Sequence, residues 1–330
     1  MNQIWVLEKN IYESKTKSKR KDGMQHLIFN IKMMLISLAV FFHTSLIASA
    51  HDPKANLVAN KIFSSFKLPS TERPQPIGSY AKGCMNGGVA LPVTGPTWQV
   101  IHPKRNRNWG HPTTVSFVKR LSVVAKEIGW AGLYIGDISQ PRGGPMPYGH
   151  KSHQTGLDVD IWLTPAEQLD LNASELEKLK LISVRTKNMK ETNSNWTEAH
   201  TRLLKAVALD DAVDRVFITA PAKINMCKKA GEDRSWLQKI RPMRGHHRHI
   251  HIRLRCPNDS VHCTSQRPTI EQISQSRDGC DHTLEWWVTT ALEPYKKPVS
   301  PPKKTKPKKN ALSYKMDDLP IECKSVIHKP

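Results

Sequence analysis

The sequence predicts an α+β fold, a single domain in which a mostly antiparallel sheet is packed by helices. Helix-like and strand-like segments mix along the chain, whereas a parallel α/β protein would alternate them strictly. Residues 157–162 and 249–255 each alternate apolar and polar side chains, which indicates strands with one buried face. At 330 residues the chain is long enough to bury a core of ordinary size.

Composition and charge narrow the class of protein. Hydrophobic residues make up 38% of the chain and charged residues 24%, which is typical of a globular protein and not of a disordered one. The formal net charge of +21 is unusually high. It predicts attraction to an anionic partner, and it leaves nucleic acid, a membrane surface and an acidic wall polymer all open.

Residues 1–50 have the pattern of an N-terminal extension followed by a signal peptide. A basic segment at 15–21 precedes an apolar run at 33–42, and Ala48 and Ala50 form a small-x-small cleavage pattern. The apolar run is short and is followed by His43, so we expect no stable membrane insertion. We expect an exported protein that is cleaved near Ala50 and begins near His51.

The predicted domain covers residues 51–293, and its first half contains one clear helix. Residues 51–76 are expected to be an irregular lead-in, because Pro69, Pro74 and Pro76 discourage regular structure. Residues 77–100 combine short strand-like runs with Gly-rich turns. Apolar residues recur at helical spacing over 114–128, and Gly129 ends this helix. Residues 133–138 are predicted to be a strand that leads into a Gly/Pro loop.

The second half of the domain alternates shorter elements. Residues 172–194 are polar and are expected to form a surface excursion. A helix begins at Thr197 and places four apolar residues on one face. Residues 213–220 are predicted to be a strand, and 225–231 and 234–240 are predicted to be short helices. The second strand with a polar face, 249–255, follows them.

Residues 294–330 are predicted to form a Lys/Pro-rich arm that ends in a disulfide-tethered tail. The run 294–309 contains seven lysines and no acidic residue, which indicates an extended, solvated segment. A flexible tether and an arm that grips an anionic polymer are both compatible with this composition.

Six cysteines follow the predicted cleavage point, and none belongs to a Cys-x-x-Cys pair. An even number in an exported chain predicts disulfides, and cysteine-ligated zinc is not expected. Six cysteines allow 15 pairings. The neighbours Cys256 and Cys263 would staple one loop, and the outermost pair, Cys84 and Cys323, would tie the two ends of the domain together. Cys227 and Cys280 are the other two.

The two polar-faced strands together predict one zinc site. His153 lies in the loop that enters the first strand, Asp160 lies on that strand, and His251 lies on the second one. A catalytic zinc ion takes three protein ligands and leaves one position for water. Either motif alone has an ordinary explanation, such as a solvated strand face or a polar turn with adventitious metal binding. Two such motifs in an exported chain favour a catalytic site.

Two further histidines are candidates for catalysis. His249 shares the polar strand face with His251, so we assign to it the transfer of a proton to the leaving amine. His246 is the candidate for holding the oxyanion or the substrate. The sequence contains neither the His-Glu-x-x-His motif of helical zinc peptidases nor the Gly-x-Ser-x-Gly motif of serine hydrolases.

These motifs resemble those of the penicillin-insensitive murein endopeptidases, within the lysostaphin/D-Ala-D-Ala metallopeptidase group. The two matching blocks are Gly-His150-x-Ser-His153-Gln-x-Gly156-Leu-Asp158-Val-Asp160-Ile and His246-x-x-His249-x-His251-x-Arg253-Leu-x-Cys256-Pro. The resemblance runs from about residue 77 to 280. It implies a periplasmic zinc endopeptidase that cuts the D-alanyl–meso-diaminopimelyl amide between peptidoglycan stem peptides.

The same resemblance implies roles for particular residues. His153, Asp160 and His251 would bind zinc, with His150 as a further ligand, and His246 and His249 would assist catalysis. The implied disulfides are Cys84–Cys323, Cys227–Cys280 and Cys256–Cys263. Some members carry an Asp-x-x-His pair associated with a second metal. The matching place here holds Lys187 and Lys190, which are not ordinary cation ligands, so we expect one catalytic zinc ion.

Two other functions are open alternatives to the endopeptidase. An exported metal-dependent nuclease would use Arg253, Arg255 and His249 against a phosphate, but the histidine–aspartate spacing better suits hydrolysis of an amide. A non-catalytic cell-wall-binding module would rely on the lysine arm. We expect peptidoglycan stem-peptide cross-links as the partner and no nucleic acid. The sequence leaves the oligomeric state open, with a homodimer among the alternatives.

Overall fold

Strands and α-helices follow one another irregularly in the computed structural model of the protein, which describes residues 57–275, 277–294 and 309–328. The strands are β1 (Gln75–Ser79), β2 (Lys82–Asn86), β3 (Val89–Ala90), β4 (Thr94–Gly95), β5 (Trp98–Val100), β6 (Trp109–Gly110), β7 (Leu133–Ile135), β8 (Asp158–Trp162), β9 (Val213–Ile218), β10 (Ile240–Pro242) and β11 (His249–Leu254). The α-helices are α1 (Ala59–Ser65), α2 (Pro112–Glu127), α3 (Ala173–Lys178), α4 (Glu198–Leu209), α5 (Ala220–Lys229), α6 (Ile270–Ser274), α7 (Thr283–Val288) and α8 (Glu322–His328). Short 3-10 helices occur at Pro103–Arg105, Ser235–Lys239, Thr290–Leu292 and Met316–Asp318.

A seven-stranded sheet with the order β10-β9-β11-β8-β7-β5-β4 organises the fold. Its β4–β5, β7–β8, β8–β11 and β11–β9 pairs are antiparallel, and its β5–β7 and β10–β9 pairs are parallel. Two small antiparallel sheets, β1–β2 and β3–β6, lie outside it. The predicted α+β class with a mostly antiparallel sheet is therefore confirmed.

The centre of this sheet packs one face against helices. Val159 and Ile161 of β8 and Ile250 and Ile252 of β11 are fully buried and join one core cluster with apolar residues of α2 and α4. Because side chains alternate along a strand, this burial turns the intervening residues of both strands to the opposite face. The predicted alternation of both segments is confirmed.

Local signals account for the two longest helices. Pro112 occupies the first turn of α2, where a missing N–H is tolerated, and the His111 side chain accepts a hydrogen bond from the backbone N–H of Thr113. Gly129, at φ +94°, follows the end of α2. Helix α4 begins directly after its N-cap, Thr197. Both helices were predicted from their apolar spacing.

The predicted surface segment at 172–194 is exposed or partly exposed at most positions. It contains helix α3, whose N-terminus is closed by a capping box between Asn172 and Glu175. Three other local predictions were wrong. The lead-in contains helix α1, which is held by packing and not by a local signal. Helix α5 begins at Ala220 and not at 225, because Pro221 fits a first helical turn. The predicted helix at 234–240 is a 3-10 helix, followed by β10 at the edge of the sheet.

A second core cluster joins the two ends of the described chain. Phe63 and Ile62 of α1 pack with Val326 and Ile327 of α8. The Cys84–Cys323 disulfide links α8 to β2 within this cluster. The structure also contains the disulfides Cys227–Cys280 and Cys256–Cys263, so its three pairs are those that the family resemblance implied.

Two predicted segments lie outside the described residues, namely the signal peptide at 1–50 and most of the lysine-rich run, at 295–308. Within the described part of the chain, no helix has the length and apolar character needed to span a membrane.

Candidate metal centre

Strands β8 and β11 bring the two sequence motifs together on one face of the sheet. They pair antiparallel, with His251 opposite Asp160 and Arg253 opposite Asp158. Both aspartates and both of these partners are buried. The predicted site is therefore formed by neighbouring strands, although their motifs are about ninety residues apart in the chain.

Three potential ligand atoms lie in mutual contact at this place. The distance from His153 Nε2 to His251 Nδ1 is 3.0 Å, and Asp160 Oδ1 lies 3.3 Å from the former and 3.1 Å from the latter. The edge of a zinc tetrahedron with metal–ligand distances of about 2.0–2.1 Å is about 3.3–3.4 Å long. The three atoms thus have nearly the spacing of one face of a zinc coordination shell.

The backbone and a carbonyl group fix the orientation of His153. Its Nδ1–H donates a 2.7 Å hydrogen bond to the carbonyl of Ile138, which leaves the lone pair of Nε2 directed at the cluster. His153 has φ +68°, a left-handed conformation that costs free energy in a residue other than glycine. Its backbone N–H donates to Asp158 Oδ2 at 2.9 Å, which holds this conformation.

His251 is oriented by a carboxylate on the side away from the cluster. Its Nε2 atom is buried without a well-directed hydrogen bond, and the nearest acceptor, Asp158 Oδ1, is 3.2 Å away. Asp158 is itself held by Arg253, whose Nε and Nη2 donate to it over 2.8 and 3.1 Å. A carboxylate behind a ligating histidine is the usual second layer of a metal site. Sequence reasoning had missed this role of Asp158.

The charge states of the cluster suit a cation. Burial alone would raise the pKa of Asp160, but His153 and His249 beside it lower that pKa well below the usual value. Burial lowers the pKa of His153, which keeps its imidazole neutral. Burial would also lower the pKa of His251, but Asp158 and Asp160 raise it to about 9. Without a metal, a proton on His251 Nδ1 lies between that atom and His153 Nε2, whose lone pairs would otherwise face each other. A metal ion would displace this proton.

His150 borders the same cluster. His150, His153 and Asp160 can each direct one ligand atom so that the three atoms lie within 4.8 Å of one another. The Nδ1 atom of His150 is 3.5 Å from Asp160 Oδ2, and its Nε2–H donates to Asp137 over 3.0 Å. His150 is therefore within reach of a metal, but the set with His251 is tighter and closer to tetrahedral spacing.

Asp137 anchors this edge of the site and had not been predicted. Arg107 donates to it at 2.8 Å, and Arg105 lies 3.5 Å from the same oxygen. Burial would raise the pKa of Asp137, but His150 and Arg107 lower it to about 2. Asp137 lies two residues after the end of β7. Its position beside the site follows from the pairing of β7 with β8, which the sequence alone does not reveal.

The two predicted catalytic histidines lie beside the cluster, but neither contributes one of its three closely spaced atoms. His249 Nε2 is 3.7 Å from Asp160 Oδ2, and its ring packs edge-on to Trp162 at 5.4 Å. The His246 ring lies 5.0 Å from that of His249 and 5.9 Å from that of His251. Burial and the neighbouring His249 lower the pKa of His246 to about 4, so it is neutral at physiological pH.

The chain is similar to a set of murein-degrading enzymes. Residues 76–328 match the family described as penicillin-insensitive murein endopeptidase. Proteins with that name from Haemophilus influenzae, Yersinia enterocolitica and Salmonella newport are 38%, 37% and 39% identical to it. These alignments cover 80%, 78% and 77% of this chain and 86%, 87% and 86% of the relatives, respectively.

Proposed function

This chain belongs to the penicillin-insensitive murein endopeptidase family, and from that premise we propose that it is a zinc-dependent peptidoglycan hydrolase. The bond that we assign to it is the D-alanyl–meso-diaminopimelyl amide that cross-links stem peptides. The observation that carries the proposal is the buried contact of His153 Nε2, Asp160 Oδ1 and His251 Nδ1, 3.0–3.3 Å from one another. These atoms would hold a single zinc ion.

The three ligand groups suit a zinc ion that promotes hydrolysis of an unactivated amide. When bound, zinc supplies Lewis acidity, which brings the pKa of a water molecule to about 7 and polarises a carbonyl group. Asp160 contributes a charge that stays ionised, and His153 and His251 contribute neutral nitrogens once the His251 proton is displaced. His150, bonded to Asp137 through Nε2, keeps Nδ1 within reach as a further ligand beside these three.

His249 and His246 take the remaining steps. His249 is the group that carries a proton to the leaving nitrogen, because it shares the polar strand face with His251 without belonging to the tight cluster. Neutral His246 donates through Nδ1 to the carbonyl of Arg244 at 2.9 Å. Its ring is thereby held beside His249, where it orients the substrate.

We also propose that the enzyme works in the periplasm. The described part of the chain has no free cysteine, because all six are paired, which suits an oxidising compartment. The signal peptide with cleavage near Ala50, the catalytic domain at 51–293 and the arm at 294–330 belong to this proposal. Lys187 and Lys190 are exposed at the place where some relatives would hold a second metal, so one zinc ion per chain is sufficient.

Digestion of purified peptidoglycan tests the proposal. The chain is incubated with it with chelator, without chelator, and with chelator followed by zinc, and the products are identified by mass. We expect cross-linked dimers to become monomers, no conversion with chelator, and recovery with zinc. Intact dimers would refute the endopeptidase. Release of phosphodiester products from nucleic acid would favour the nuclease, and salt-sensitive binding without cleavage would favour the wall-binding module.

A further inference from the structure

A cavity of about 300 Å³ opens next to the candidate catalytic histidines. Its lining includes Thr219 and Gly245, the residue before His246. The backbone N–H of Thr219 donates to the carbonyl of His246 at 2.7 Å, so the lining is bonded to the loop that carries His246. The cavity is therefore adjacent to that loop.

Two guanidinium groups give this cavity its charge. Arg185 and Arg244 line it from two different loops, and Glu293 is its acidic lining residue. Burial alone lowers the pKa of Arg185, and no carboxylate of the described residues pairs with its guanidinium. Lys187 and Lys190 are exposed on the same loop as Arg185. The cavity thus presents a half-buried cation without a partner among the residues that the structure describes.

Arg244 has a structural bond that Arg185 lacks. Its Nη2–H donates to the carbonyl of Ala291, which ties the loop before His246 to the 3-10 helix Thr290–Leu292. This bond leaves other N–H groups of the fork available, since a guanidinium carries five donors. Neither guanidinium has a carboxylate partner among the described residues, but Arg244 is exposed and bonded to a carbonyl, whereas Arg185 is partly buried. Arg185 therefore gains more from a bound anion.

The rest of the lining is apolar. Its larger apolar residues are Met189, Met243, Trp287 and Leu292. A ligand with a short hydrocarbon chain and a carboxylate would match both features, because the chain would contact these side chains and the carboxylate would reach a guanidinium.

We propose that this cavity is a substrate subsite in which Arg185 binds the free carboxylate of the diaminopimelyl residue on the amine side of the scissile bond. The inference rests on the proposed function. It follows from the position of the cavity, because His249 is the group that protonates the leaving amine and His246 connects it to the cavity wall. The leaving residue carries a carboxylate next to its amide nitrogen and a methylene chain beyond it, which are the two features that the lining would bind.

A binding experiment on the full chain tests the subsite independently of cleavage. The ligands are a soluble stem peptide whose diaminopimelyl residue has the free carboxylate, and the same peptide with that group converted to a carboxamide. Dissociation constants are measured by calorimetry for the wild type, Arg185→Gln and Arg185→Lys. Arg202→Gln is the control, since it removes the same charge from an exposed position on α4 outside the cavity.

We expect Arg185→Gln to weaken binding of the carboxylate peptide by roughly tenfold to a hundredfold, the range for a charge-assisted hydrogen bond. The carboxamide peptide should bind weakly to the wild type and equally weakly to Arg185→Gln. Arg185→Lys should recover part of the affinity, and Arg202→Gln should behave as the wild type. A double-mutant cycle of this kind isolates the contact between the guanidinium and the carboxylate.

Two results would overturn the subsite. One is equal binding of the carboxylate peptide by the wild type and Arg185→Gln, and the other is an equal loss for both peptides, which would indicate a merely structural effect. Failure of the proposed function is a separate result, because it would be seen as intact dimers after digestion. Binding that depends on Arg185 would support the subsite even then.

Discussion

At the scale of single residues, His251 is the centre of the site because both of its ring nitrogens face carboxylates. Nδ1 lies 3.1 Å from Asp160 and Nε2 lies 3.2 Å from Asp158. In the proposed zinc site, the first contact would place the ligand atom and the second would fix the ring. His249, two residues earlier on the same strand face, touches the cluster only at its edge. The two histidines should therefore respond differently to substitution.

Replacing each of these histidines by alanine separates metal binding from proton transfer. His251→Ala should remove both the bound zinc and the activity, because one of three close ligands is lost. His249→Ala should keep one zinc ion per chain and slow turnover by about 10²–10⁴-fold, the usual contribution of a general acid–base group. Zinc content by mass spectrometry and the rate of dimer cleavage are measured on both variants. Loss of zinc from His249→Ala would contradict this division of roles.

Lys223 lies away from the metal centre, and its lowered pKa predicts that the stability of the fold depends on pH. Its ammonium group is buried and donates to the carbonyls of Leu237 and Asp278 at 2.7 and 2.9 Å. Burial and nearby Arg241 lower its pKa from 10.5 to about 7. Between these two values the unfolded chain binds more protons than the folded one, so the free energy of unfolding should rise as the pH increases.

The matched variant for this effect is Lys223→Met. This variant loses the two hydrogen bonds at every pH. It should also lose the rise in the free energy of unfolding between pH 7 and 10. For one proton, that rise is at most about 1.4 kcal/mol per pH unit. Denaturant unfolding at several pH values gives both slopes, and the difference between the two proteins isolates Lys223. Parallel slopes would show that its ammonium group has an ordinary pKa.

The residues of the candidate site differ in how far the sequence alone could predict them. His153, Asp160 and His251 were predicted because metal-competent side chains stood on the polar faces of two strands. Asp158 had been assigned to the same polar face without a role, since only the strand register places it behind His251. Contacts of this kind depend on the third dimension, and a linear pattern does not contain them.

At the scale of elements, the loop that leads into the first metal motif is held by both ends of the described chain. Gly144 packs directly on the ring of Phe63 in α1. Arg142 donates to the carbonyl of Val326 in α8 at 2.7 Å and stacks over Phe66 at 4.1 Å. The small cluster between α1 and α8 therefore supports the approach to His150 and His153.

Truncation of the central side chain of that cluster tests this support. Phe63→Ala should lower the free energy of unfolding by about 3–5 kcal/mol, because a fully buried aromatic ring is replaced by a cavity. Leu68→Ala is the control. Its side chain is 68% exposed, so its effect should stay within about 0.5 kcal/mol. Equal stability of the two variants in denaturant unfolding would contradict the packing described here.

Several of the predicted elements have a strong periodic pattern. Helices α2 and α4 and strands β8 and β11 each repeat apolar residues at a period that fixes their type. Helix α1 is seven residues long and has no side-chain cap, so its existence depends on packing against α8. Strand β10 is three residues long and ends at Pro242. A strand this short is defined by its partner β9 and not by its own sequence.

At the scale of the whole molecule, covalent links and charge agree with an exported wall enzyme. The Cys84–Cys323 bond joins residues 239 positions apart, and closing so long a loop constrains the unfolded chain strongly. The net charge of +21 favours an anionic matrix. Charge did not identify the substrate, since nucleic acid would attract the same protein. The family makes that distinction, and the proposed ligand set on two strands agrees with it.

The measurement that tests the central claim most directly is a zinc titration of the metal-free chain, read as cleavage of a purified cross-linked muropeptide dimer. We expect no cleavage without metal and a linear rise that reaches its maximum at one equivalent of zinc per chain. Asp160→Asn should stay inactive at the same zinc concentrations, because the charged ligand is gone. Full cleavage by the metal-free chain, or a maximum that requires two equivalents, would contradict a single zinc ion held by His153, Asp160 and His251.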